Sequence, residues 1–507
     1  MLTKNKQKST ILKQKVIFYI EHSCYNIKNT NHGRTYSMIF HPQNTVKTTG
    51  HFTFSGEINA VAHACLNKSL LKDFWHNFAF RASTLNISES SEFIFQIGSA
   101  KPLPLDGNDY SINVESDGIC VFAENEKNLI CGFMTLLDSF KAVDCDDKLV
   151  VEADCCQIKD KPMIKTRMVH FCIFPETELW ELQRFIRFCG ALKYTHVILE
   201  FWGMLQYDCM KELAWAHAYT KEQIKPIICE ANDLGLEIIP MFNHWGHASA
   251  GRVMYGKHVV LDQNPTLQTY FSEDGWCWDI RKPKVKDLLR QIRKELIELC
   301  GKGDYIHIGC DEAYNFEFTK ENMDFICGFI NEISDEVRPM NRKVIAWGDM
   351  CLYRHDDYSQ KNKYKYTCNA PTAEVEEYML AHLSRDVIMA DWQYSASEIP
   401  VETAAVFQKA GFNCLLCPAD VGKSQMNAVL STIKAQNLDG ILHTTWHTLE
   451  SGMPYVTIAA VGSFEDVENR NFEDVQTVTA SLMRKVMPSN GDYERSGWNK
   501  KQIHCRW

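Results

Sequence analysis

No stretch of the sequence approaches the ~18 consecutive apolar residues that cross a bilayer. No cleaved leader is expected either. Lysines crowd the first 15 residues, but the apolar run behind them, Val16 to Ile20, ends in Glu21-His22. That run falls short of the ~7–15 residues a leader needs. An excess of positive charge is missing as well: Lys+Arg number 54 against 64 Asp+Glu, a formal net charge of −10. This balance argues against nucleic acid or an anionic membrane as the main partner. Cysteine is plentiful at 20 residues, yet paired spacing is not. Cys155-Cys156 and Cys414-x-x-Cys417 have no second pair at zinc-ribbon distance. Cys172, Cys189, Cys310 and Cys327 fall inside predicted core elements, where a thiol acts as a small hydrophobe. The expectation is reduced thiols, no metal, a cytoplasmic setting, and unused sequons at Asn67 and Asn86. No internal repeat of ~20–50 residues is present either.

What is present is the composition of a soluble globular protein, 45% hydrophobic and 23% charged. A length of 507 residues suggests two or three domains. Two regimes divide the chain. Residues 1–160 carry short alternating runs, such as Phe93 to Gly98, Tyr110 to Val114 and Ile119 to Ala123, and read as a supporting α+β domain. Residues 161–465 alternate apolar runs with amphipathic stretches. Strands are predicted at 167–173, 196–202, 236–242, 305–309, 343–347, 387–392, 412–416 and 440–446. Helices are predicted at 177–191, 220–234, 284–300, 320–335, 401–410 and 424–436. Eight strand–helix units over ~300 residues make the fold class α/β, a (β/α)8 TIM barrel preceded by the small α+β domain. Continuous apolar strands fit a parallel sheet buried on both faces. Residues 466–507 form a polar, partly helical tail.

A barrel places its active site at the C-terminal ends of its strands. The chemically interesting residues fall there repeatedly. His247 follows strand 3, Asp311-Glu312 follow strand 4, and Trp347, Trp392 and Trp446 close strands 5, 6 and 8, with Arg167 near strand 1. In Tyr305-Ile-His-Ile-Gly-Cys-Asp-Glu312 an apolar strand runs into a glycine and then two adjacent carboxylates. Neighbouring carboxylates in a partly apolar mouth oppose each other's ionisation, leaving one protonated and one charged, the division used by glycosidases. The plainer alternative is a helix start, with Asp as cap and Glu in the first turn.

His-Ile-Gly-Cys-Asp-Glu resembles the His-x-Gly-x-Asp-Glu signature of glycoside hydrolase family 20, the β-N-acetylhexosaminidases. The Glu-Ala-Tyr that follows, with Trp347-Gly-Asp-Met350 and Trp392-Gln-Tyr394, is more like the hexosaminidase D branch. The resemblance spans roughly 165–460 and extends weakly to Tyr110–Leu137. It implies a retaining exo-β-N-acetylhexosaminidase that releases terminal GalNAc or GlcNAc without a cofactor. Glu312 would be the general acid, and the substrate's own acetamido oxygen the nucleophile, forming an oxazolinium ion. Asp311 would orient the acetamido N–H. Arg167 would bind sugar hydroxyls, His247 would be the substrate-binding histidine of the family's Gly-His after strand 3, and Trp347, Trp392 and Trp446 would enclose the acetamido group and sugar ring. His307 is read as a satisfied core histidine.

Three segments depart from the family pattern. Arg167-Met-Val-His-Phe-Cys172 lacks the aspartate of Arg-Gly-x-x-x-Asp. Leu416-Cys-Pro-Ala-Asp420 lacks the tyrosine of Trp-Tyr-x-Asp, so Tyr394 is taken as its substitute. Trp446-His-Thr replaces Trp-Gly-Glu, leaving Glu450 as the stand-in hydroxyl contact. Two other readings stay open: a metal-dependent barrel hydrolase using His244, His247, His307 and Asp311, and a non-catalytic sugar-binding barrel. The expected partner is a glycan or small molecule with a terminal N-acetylhexosamine, not nucleic acid or membrane, with a homodimer left open.

Overall fold

The computed structural model describes residues 38–249, 260–446, 452–468 and 470–488. The N-terminal region is a mixed sheet carrying two helices. Its elements are β1 (Asn44–Phe54), β2 (Gly56–His63), α1 (Lys68–Phe78), β3 (Ser83–Ser90), β4 (Ile94–Gly98), β5 (Tyr110–Glu115), β6 (Gly118–Ala123), α2 (Glu126–Asp138), β7 (Lys141–Cys145) and β8 (Lys148–Asp160). The strands run in the order β1-β8-β5-β6-β4-β2-β3, with β7 on β8. The alternating runs noted above become β4, β5 and β6, joined antiparallel.

Eight parallel strands then close on themselves: β9 (Thr166–Cys172), β10 (His196–Glu200), β11 (Glu237–Met241), β12 (Tyr305–His307), β13 (Lys343–Trp347), β14 (Ile388–Trp392), β15 (Cys414–Cys417) and β16 (Gly440–Thr445). Their helices are α3 (Leu179–Ala191), α4 (Lys221–Asp233), α5 (Val260–Gln263), α6 (Pro283–Cys300), α7 (Lys320–Val337), α8 (Gln360–Lys363), α9 (Ala373–His382), α10 (Thr403–Lys409), α11 (Lys423–Gln436) and α12 (Met453–Gly462). The chain is a TIM barrel behind a small α+β region. Each predicted strand and helix lies within a few residues of an observed element.

Local chemistry starts and stops these helices. Thr220 and Gln223 form a reciprocal capping box on α4, Thr319 and Thr372 cap α7 and α9, and Pro283 opens α6. Inside the barrel, inward residues such as Met168, Ile198, Ile239, Ile345, Leu415 and Leu442 fill the lumen as a packed layer. The terminal helix α13 (Phe472–Lys485) lies in the region read as a helical tail.

At the N-terminal end of the barrel, charge is buried and fully answered. Lys193 inserts its ammonium between the rings of Phe40 and Phe464, 3.6 and 3.9 Å from their centroids. It donates to the Tyr110 and Thr135 hydroxyls, with the Asp160 carboxylate 3.7 Å away. Arg167 lies at this same end. As the second residue of β9 it donates from Nε to the Lys193 carbonyl and from Nη1 to the carbonyls of Ile164 and Lys165. Its guanidinium packs over Phe464. The expected sugar-binding role of Arg167 is therefore corrected: strand direction places it at the opposite mouth, where it ties the barrel floor together.

Candidate active site

Two loops build the centre, those after β11 and β12. They interlock through two glycines. A Cβ on Gly309 would sit 1.8 Å from Asn243 Oδ1, and one on Gly246 would sit 1.9 Å from the Asp311 carbonyl oxygen. Only residues without side chains let the loops approach this closely. The two loops hold three non-glycine residues in the left-handed region: His247 (φ 52°) in the first, Cys310 (φ 76°) and Glu312 (φ 46°) in the second. Such conformations cost about 1–3 kcal/mol each and persist where the surroundings impose them. Here those surroundings are visible. The Glu312 N–H donates to Asp349 Oδ2 at 3.0 Å, and the Trp276 indole donates to the Glu312 carbonyl at 2.7 Å.

The carboxylates and one imidazole meet at the centre. His247 Nε2 lies 2.9 Å from Glu312 Oε2 and 3.5 Å from Asp311 Oδ2. The Asp311 side chain is 7% exposed and that of Glu312 is 23% exposed. One is sealed in and the other opens to the mouth. Asp311 Oδ1 is buried with no hydrogen-bond partner among the described residues. Burial raises the Asp311 carboxyl; His247 opposes that rise, while Asp349 and Glu312 reinforce it. Burial alone would lower His247, but the facing Asp311 and Glu312 outweigh it and lift the imidazole to about 9. Asp349 is likewise raised by burial, against the hydrogen bonds it accepts from Glu312, Trp392 and Asn369.

Aromatic side chains wall the space above β13, β14 and β16. Trp347 is buried, with its ring 5.7 Å from that of Trp446. Its Nε1–H has no partner among the described residues. Trp392 donates to Asp349 Oδ1 at 3.1 Å and packs on Tyr394 at 4.9 Å. The Tyr394 hydroxyl accepts from Trp446 Nε1 at 2.6 Å and from Thr444 Oγ1 at 3.0 Å. Trp276 extends the wall from the β11 loop, 4.4 Å from His247 and 6.0 Å from Tyr314.

The structure thus gathers Asp311, Glu312 and His247 at one point and Trp347, Trp392, Tyr394 and Trp446 around one wall. Glu450 lies outside the described residues. The ligand set of the metal-hydrolase reading does not assemble. Among the described residues, metal-compatible groups are His247/Asp311/Glu312 and His170/Cys172/Glu200. His244 instead turns Nδ1 to the Phe242 carbonyl. His307 is in the core as expected but is not satisfied. Its Nδ1 accepts from Gly309 N, while Nε2 has no partner among the described residues. Sequence reasoning missed Asp349, which pins the Glu312 backbone, and Trp276. Asp349 stood in the quoted Trp-Gly-Asp-Met at a strand end, a signal that was there to use. Trp276 comes from a long loop with no periodicity to mark it.

Residues 196–422 match the model of glycosyl hydrolase family 20, catalytic domain. A lacto-N-biosidase of Bifidobacterium bifidum is 22% identical over 273 residues, 50% of this chain and 23% of that protein. The chain thus spans about a quarter of the length of the curated relative it matches. Among solved structures, an exo β-N-acetylglucosaminidase of Vibrio harveyi superposes with a TM-score of 0.64 at 15% identity, covering 89% of this chain and 77% of that one. A β-N-acetylhexosaminidase of Streptomyces coelicolor gives 0.61 at 14% identity, covering 89% and 96%. At these identities the structural likeness is one of fold.

Proposed function

Because residues 196–422 match the model of the glycosyl hydrolase family 20 catalytic domain, we propose that the chain is a retaining exo-β-N-acetylhexosaminidase working by substrate assistance. The observation that carries this reading is the buried, unpartnered Asp311 Oδ1 beside the more open Glu312. A buried acceptor without a donor is costly unless a ligand supplies one, and an acetamido N–H is such a donor.

With the sugar bound, that N–H stabilises the Asp311 carboxylate, because a hydrogen bond to the charged form favours it. The proton that Asp311 retains then belongs on Glu312. His247 Nε2 contacts both carboxylates, so it can give its proton to Glu312 Oε2 and recover one from Asp311 Oδ2. Glu312 protonates the glycosidic oxygen as the acetamido oxygen attacks C1. The leaving group departs with that proton, and the oxazolinium charge faces the Asp311 anion. Glu312 then removes a proton from water as it adds to C1, restoring the acetamide and the original configuration. The aromatic wall holds the acetamido group in line, and placement of an internal nucleophile is worth about 7–11 kcal/mol. The groups these steps draw from the protein are the side chains of Asp311, Glu312 and His247.

The motifs shared with the hexosaminidase D branch lean the substrate toward N-acetylgalactosaminides. A cytoplasmic setting is part of the proposal and is supported by the unpaired state of every described cysteine. The test is a panel of aryl β-GalNAc, β-GlcNAc and β-galactoside substrates. The first two should be cleaved, the 2-hydroxy sugar should not, and a thiazoline mimic of the intermediate should inhibit strongly. A covalent adduct trapped on a carboxylate by a 2-deoxy-2-fluoro sugar would overturn the mechanism.

A further inference from the structure

The first two barrel strands carry a second polar cluster that the proposed hydrolysis does not use. A strand repeats every two residues, so His170 and Cys172 share one face of β9. The parallel neighbour β10 has Glu200 in register with Cys172. Three different ligand types therefore converge. His170 Nε2 lies 3.0 Å from Glu200 Oε2, Cys172 Sγ lies 3.4 Å from the same oxygen, and the sulfur lies 3.8 Å from Nε2. All three side chains are fully buried.

Those separations are close to what a tetrahedral cation demands. Bonds of about 2.0 Å to nitrogen and oxygen and about 2.3 Å to sulfur place neighbouring ligand atoms about 3.3–3.6 Å apart. The outer oxygen of Glu200 is already fixed: Asn243 Nδ2 donates to Oε1 at 2.5 Å, leaving Oε2 to face the other two groups. A supporting hydrogen bond of this kind orients a ligating carboxylate. Thiolate, imidazole and carboxylate together suit zinc-class ions and not magnesium or calcium.

We propose that His170, Cys172 and Glu200 form a binding site for a zinc-class divalent cation, separate from the His247–Asp311–Glu312 centre. Binding releases the Cys172 thiol proton to solvent and leaves the imidazole proton on Nδ1, so affinity rises with pH. Trp446 packs against His170, and against the apolar cluster of Cys172, Phe174 and Trp202, which sets the site behind the aromatic wall.

The experiment titrates the reduced, metal-stripped full chain with Zn2+ against a chromogenic chelator and with Co2+ by absorption. One tight zinc equivalent and a thiolate-to-cobalt charge-transfer band are expected. Cys172→Ser should abolish the band and weaken zinc by about 100-fold or more, beyond the 10–100-fold typical of losing a supporting partner. Glu200→Gln should weaken zinc comparably, and Cys229→Ser, at an exposed thiol, should leave both readings unchanged. X-ray absorption of the zinc-loaded wild type needs no variant and should show one sulfur at about 2.3 Å with nitrogen or oxygen at about 2.0 Å. A shell without sulfur, a band that survives Cys172→Ser, or zinc binding that vanishes only with His247→Gln would overturn the assignment.

Discussion

The two mouths of the barrel both bury charge, and they treat it in opposite ways. At the N-terminal end, Arg167 reaches three carbonyls and Lys193 reaches two hydroxyls and a carboxylate between two aromatic rings. At the C-terminal end, Asp311 Oδ1 and Trp347 Nε1 are buried without partners among the described residues, and His247, Cys310 and Glu312 hold strained backbone. An end whose buried cations are answered by the fold's own groups is built for stability. An end that leaves a donor and an acceptor unanswered, and stores strain beside them, is built to receive a ligand.

The sharpest test of that contrast is Glu312→Gln. Turnover should fall by about 10²–10⁴-fold on a glycoside with a poor leaving group and far less on an activated aryl glycoside, because general acid assistance is worth that range. Equal losses on both substrates would mean that Glu312 is not the acid.

Asp311→Asn should reduce turnover by about 10²-fold, the scale of one preorganised electrostatic contact. It should also shift stability in a pH-dependent way. Burial raises Asp311 to about 8, so its contribution to stability is complete below the unfolded value near 4 and is lost as pH rises toward 8. Asparagine stays neutral throughout. The variant should therefore gain in melting temperature over wild type between pH 4 and pH 8. A constant difference across that range would contradict the buried, proton-retaining Asp311.

A smaller effect is expected from His247→Gln, about tenfold in turnover. Wild-type activity should decline as pH rises through about 8, where Asp311 gives up the proton it retains. Removing the imidazolium takes away the group that lowers the carboxyl, so the alkaline limb should move to higher pH. A limb that moves down or stays fixed would disconnect His247 from the pair.

The smallest effect on turnover belongs to the opposite mouth. Arg167→Met should leave kcat and KM of the folded enzyme within about twofold while costing about 3 kcal/mol or more of stability, because three carbonyls, two of them buried, lose charged donors. A large rise in KM without loss of stability would return Arg167 to the sugar site.

How much of this was legible beforehand depends on the range over which each interaction acts. The strands and helices of the barrel were readable because apolar periodicity and caps such as Thr220 with Gln223 act within a few residues. Asp311-Glu312 was readable because both carboxylates sit side by side in the chain, and strand direction alone sends them to one mouth. Strand direction separates Arg167, which begins β9, from Asp311-Glu312, which follow β12, and sends them to opposite mouths. What only the tertiary structure decided is the set of contacts across strands. These include Asp349 holding the Glu312 amide from 37 positions away, Tyr394 accepting from Trp446, and Glu200 coming beside His170 and Cys172. The sequence by itself determined which groups reach the strand ends. Barrel closure and strand register decided which of them touch, because register is a property of neighbouring strands and is written in no single one of them.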